Sequence, residues 1–79
     1  MENAINTLID GLKDKDKDVR ESCAKSLEAI PEELNEKQLE NAINTLIHGF
    51  KDEDENVRKS YARSLGVIST NLTDKKLEG

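Results

Sequence analysis

Tryptophan is absent from this 79-residue sequence, and Phe50 and Tyr61 are its only aromatic side chains. So few rings with 37% charged residues would suit a disordered chain. The apolar residues, though sparse, are too regularly placed for that reading. A single cysteine, Cys23, cannot close an internal disulfide, which points to a reducing compartment and so to the cytoplasm. No apolar run approaches the roughly 18 residues needed to cross a bilayer. The opening Met1-Glu2-Asn3 also lacks the basic-then-apolar pattern of a signal peptide. A basic surface is missing as well: a net charge of −5 argues against general nucleic-acid or anionic-membrane binding.

What is present is a duplication. Residues 2–39 align with 40–77 without a gap and share 22 of 38 positions, so AINTLIDGLKDKDKDVRESCAKSLEAI returns as AINTLIHGFKDEDENVRKSYARSLGVI. A period of this length marks a stacked repeat architecture, each unit hiding its apolar face against the next.

Within the first unit Ala4, Ile5, Leu8, Ile9 and Leu12 form the stripe of an amphipathic helix over 2–12. Gly11 and Gly49 recur near its end, for close packing or for a loosened last turn; the sequence leaves both open. Lys13 to Lys17 is a polar turn, after which Asp16 caps a second helix over 17–30 with Val19, Cys23, Leu27 and Ile30 on one face. Pro31 stops that helix. Asn35 with Gln38 is a capping pair for a helix over 36–50, and Asp54 opens the last helix over 55–68. Thr73 with Lys76 reads as a weaker start signal, so 73–79 is expected to begin a third unit of a longer array, the alternative being a C-terminal cap.

The residues Leu12-Lys13-Asp14, Asp16, Val19-Arg20, Ala24 and Leu27 carry a family resemblance. So do Lys51-Asp52, Asp54, Val57-Arg58, Ala62, Leu65-Gly66 and Ile68 in the second unit. The pattern resembles HEAT repeats, close to the short variety found in the phycobilin-lyase-like group. The resemblance implies an all-α solenoid of two stacked antiparallel helix pairs in a right-handed superhelix. It also implies a ladder of Asp and Arg between neighbouring repeats, at Asp14, Arg20, Asp52 and Arg58. Glu28 against Gly66 and Cys23 against Tyr61 depart from an exact repeat, so packing should differ between the units.

No convergent set of reactive side chains emerges, so neither catalysis, metal nor cofactor is expected. Cys23 lies between Val19 and Leu27 on a core face and reads as an inert thiol. His48 aligns with Asp10 on a polar face and is followed by Gly49, not by an acid as in HEAT-type metal enzymes. The turn acids Asp14, Asp16 and Asp18 lack the Gly and Glu of a calcium loop and serve as caps. The resemblance instead directs attention to the inner-helix surface, where Glu21, Lys25, Asn56, Lys59, Ser60 and Arg63 would meet a protein or peptide. Unit one carries six cations against ten anions, unit two six against six, so this face turns less acidic along the chain. The expected function is a non-catalytic interaction scaffold. The alternative is a fragment or accessory unit of an enzyme such as a chromophore lyase. Apolar flanks from Ile5, Leu8 and Cys23 at one end to Phe50 and Tyr61 at the other are expected to stay partly exposed, giving modest stability or end-to-end self-association.

Overall fold

The computed structural model describes residues 2–78, with side chains from 4 to 77. Helix α1 (Glu2–Gly11) pairs with α2 (Lys17–Ala29), and α3 (Glu36–His48) with α4 (Glu55–Glu78). Short turns make each pair antiparallel. No strand occurs among the described residues, and the result is an all-α, solenoid-like stack of two units.

The helix starts are capped by the side chains the sequence offers. Asp16 accepts the Asp18 N–H at 2.8 Å. Asp54 accepts those of Asn56 and Val57 at 2.8 and 3.1 Å. Asn35 and Gln38 bond each other's backbone N–H groups, at 2.9 and 2.8 Å. These acceptors satisfy donors that no helical carbonyl can reach.

The helix ends hold the differences from expectation. Helix α3 stops at His48, and Gly49–Lys51 tightens into a 3-10 turn. The larger correction is in α4, which was expected to end near residue 68 and runs unbroken to Glu78. Where unit one has Pro31, unit two has Ser69, which keeps its N–H and has no ring to strike the preceding turn. The third unit expected at 73–79 is therefore not begun: residues 73–78 are the last turns of α4, and Gly79 lies outside the described residues. Lys76 on this extension reaches Glu40 of α3 at 3.7 Å.

One apolar cluster runs through both units, with Ala24, Leu27, Leu34, Leu39, Leu46, Val57, Tyr61 and Ile68 essentially inaccessible to water. Helix α4 packs along both α2 and α3 and so ties the units together. Two side chains expected at the outer ends are instead buried. Ile5 is only 8% exposed, and Tyr61 only 1%, because its ring faces unit one and not the free side. Conversely Val19, expected on the core stripe, is 38% exposed on the side of α2 away from unit two.

The recurring glycines are there for space. Neither has positive φ, so backbone freedom is not the reason. A methyl on Gly49 would lie 2.7 Å from Tyr61 Cγ and closer still to the ring edge. One on Gly11 would overlap the Cys23 sulfur. The residue at 23 or 61 thus lies flat on the end of its partner helix, and glycine is the seat.

Candidate functional site

Two features are built on this frame: the seam joining the turns and the groove along the inner helices. At the seam, Arg20 donates from Nη1 to the carbonyls of Asp14 and Lys15 at 2.7 and 2.9 Å, tying down its own turn. Its Nε and Nη2 meet the Asp52 carboxylate of the other unit at 2.8 and 3.2 Å. The hydrogen bond to Asp52 raises the Arg20 pKa above its ordinary value, against partial desolvation. Lys17 adds an outer contact to Asp54 at 3.4 Å. The Val57 N–H, opposed by desolvation and aided by Lys17, holds Asp54 below the usual carboxylate range.

Of the four ladder residues, then, Arg20 and Asp52 form one rung between units. Asp14 spends its carboxylate on the Asp16 N–H at 2.8 Å. Arg58 repeats the turn clamp, donating to the Asp52 and Glu53 carbonyls at 2.6 and 3.2 Å. It meets no carboxylate among the described residues.

Two hydroxyls cross the same seam. Ser64 donates to the Ala24 carbonyl at 2.6 Å, and Tyr61 to the Leu12 carbonyl at 2.5 Å, both buried. Spacing alone could not reveal these contacts, because each pairs residues 40 or more apart through backbone oxygens.

Burial pushes the Tyr61 hydroxyl up to about 12. This is above the roughly 10 of an unfolded tyrosine, so the neutral form is favoured by folding. That stabilisation is complete below pH 10 and is lost as pH rises through about 12. With one tyrosine and no tryptophan, the tyrosinate absorption band reports this group alone, since the Phe50 ring does not ionise. Its ionisation is expected to coincide with loss of helical circular dichroism. An ordinary titration near 10 with the helices intact would contradict the buried Tyr61–Leu12 bond.

All six inner-face residues singled out in the sequence, Glu21, Lys25, Asn56, Lys59, Ser60 and Arg63, line one groove between α2 and α4, with Glu28. Acids sit mainly on the α2 wall and bases on the α4 wall. Lys25 is held by Glu21 at 3.3 Å and Lys59 by Glu55 at 3.9 Å, each on its own helix. The basic spot is accordingly smaller than charge counting suggests, and Arg63 is its cation without an ion pair among the described residues. The groove encloses only about 120 Å³. Pockets for small molecules run to about 300–1,000 Å³.

A larger cleft of about 800 Å³ lies between the two turns, but every residue lining it is charged. Cys23 is half-buried, and desolvation, with Asp14 nearby, raises its thiol pKa, so it stays protonated near neutrality. His48 is exposed. Among the described residues no three His, Cys, Asp or Glu side chains are grouped to hold a metal ion. No described helix is long and apolar enough to cross a membrane.

Compared with known proteins, the family model described as HEAT repeats matches residues 5–79. Neither a curated protein nor a solved structure matches the chain.

Proposed function

The chain belongs to the HEAT-repeat family, and from that premise we propose that it is a non-catalytic scaffold that docks a protein or peptide on its inner-helix groove. HEAT repeats generally mediate protein interactions and are typically non-catalytic. The observation that carries the finer reading is Arg63, a cation at the groove without an ion pair among the described residues, facing open space. Such a guanidinium offers a two-pronged donor to a carboxylate on an extended or helical partner. The groove is shallow, which suits a partner laid across it better than an enclosed ligand. The alternative, an accessory unit of a chromophore lyase, would need an enclosed, largely apolar pocket; the cleft of about 800 Å³ is walled by charge, and the more apolar hollows, about 320 Å³ beside Tyr61 and about 450 Å³ along α4, lie open to solvent.

The test is binding of a short Asp/Glu-rich peptide to the wild-type chain and to Arg63→Glu and Lys59→Glu. Arg63→Glu should weaken binding at least about tenfold, and Lys59→Glu less, since Lys59 is already shared with Glu55. Unchanged affinity in both variants would remove this face from consideration.

A further inference from the structure

Because the two units align without a gap, each position can be seen once covered by the other unit and once uncovered. On the side of unit one that faces unit two, Ile9 and Leu12 are 7% and 3% exposed and Ala24 is sealed. Their twins on the open side of unit two, Ile47, Phe50 and Ala62, are exposed, the first two at about half. The reverse holds for the opposite flank. Val57 and Ser64 of unit two are fully buried against unit one, while their twins Val19 and Ser26 are exposed. The molecule therefore carries, on its two uncovered sides, both halves of the seam it already makes internally.

We propose that a second copy of this chain docks head to tail, its unit-one flank on the open flank of unit two, in the register of the internal seam. Three contacts follow from the internal ones. Arg58 takes Asp14 of the next copy, as Arg20 takes Asp52. Ser26 of the next copy donates to the Ala62 carbonyl, as Ser64 does to that of Ala24. The third contact exchanges large for small. Inside the molecule Tyr61 lies against Leu12, whereas between copies Cys23 meets Phe50, so the bulk moves to the other partner and total volume is roughly kept.

Charge favours the same register. The flank of α4 offers Lys59 and Arg63, and the head of the next copy brings Asp18 and the Glu21–Lys25 pair, a small net excess of negative charge. One pair opposes it: the counterpart of Lys17–Asp54 sets Glu55 against Asp16, at an exposed edge where the repulsion is small and screened. Gly66, which has open space around it, leaves the docking flank of α4 unobstructed. A contact between two different faces leaves one of each free, so it grows into chains unless the rotation closes a ring.

The experiment uses Ser26→Arg, which blocks the head, and Ala62→Arg, which blocks the tail; both positions are exposed in the single chain. Wild type should gain mass with concentration by sedimentation or light scattering, without any peptide. Each variant alone should stay a single chain, its association weakened at least about a hundredfold by a charge driven into a dry seam. An equal mixture should form a dimer and stop there, since one good head meets one good tail. Helical circular dichroism checks that the variants fold, and Ile47→Arg, at an exposed position whose twin Ile9 is buried in the internal seam, is a second tail block should Ala62→Arg fail to. A wild type that remains a single chain at millimolar concentration, or a mixture that does not pair, would overturn the proposal. So would a singly blocked variant that still dimerises, which would mean a face meeting its own kind. None of these outcomes depends on whether the inner groove binds peptide.

Discussion

Replacing Gly49 by alanine is expected to destabilise the fold by about 3 kcal/mol, although alanine is the better helix former. The added methyl falls within the Tyr61 ring, which is 1% exposed and walled in on all sides. The ring has to shift, and its hydroxyl then loses the Leu12 carbonyl and is left buried without a partner. Domains of this size hold roughly 4–12 kcal/mol in total, so the loss is a large fraction, with a fall in melting temperature of roughly 12–24 °C.

Gly11→Ala is the internal control. Its methyl clashes only with the Cys23 sulfur, the tip of a half-buried side chain that can rotate away, and meets Cys23 Cβ and Val19 at ordinary contact distances of 3.4 and 3.8 Å. The gain in helix propensity, about 1 kcal/mol, then offsets most of the strain. Thermal melts of both variants should differ widely, and in a Tyr61→Cys background, itself destabilised by loss of the buried ring, Gly49→Ala should cost little more, since the ring it strikes is gone. Equal melts for the two alanine variants would mean the glycines are not seats for these side chains.

That contrast also measures how far the sequence could be read. Helix caps were legible, since Asp16, Asn35, Gln38 and Asp54 act through neighbours two or three residues away. The inner groove was legible because helical spacing puts Glu21, Lys25, Lys59 and Arg63 on one surface. The depth of Tyr61 was not, because a helical wheel gives the apolar side of α4 but not which flank meets the other unit. The reach of α4 to Glu78 is legible in Ser69 standing where Pro31 does, but the start signal at Thr73 with Lys76 points the other way, and the missing proline decides. The seam bonds to the carbonyls of Leu12 and Ala24 left no mark at all, as every residue has a carbonyl.

The largest effect expected from a single charge is at Asp52. Arg20 is 19% and Asp52 11% exposed at their side chains, so the pair is mostly removed from water and poorly screened. Asp52→Ala deletes both contacts to Arg20 and the acceptor for the Asp54 N–H at 2.9 Å. It leaves a half-buried guanidinium held only by carbonyls. Breaking such a pair on one side costs about 3 kcal/mol. Asp52→Asn keeps an oxygen for the Asp54 N–H and loses the charge, so it should cost about half of that. Asp14→Ala, the same change in the first copy of the repeat, removes only the bond to the Asp16 N–H within a dilute single chain and should cost no more than about 1 kcal/mol. Urea midpoints for the three variants, taken at low protein concentration, separate the turn from the rung. If Asp14→Ala and Asp52→Ala fell by the same amount, the charge pair between units would contribute nothing, and the stack would be held by its apolar seam and buried hydroxyls alone.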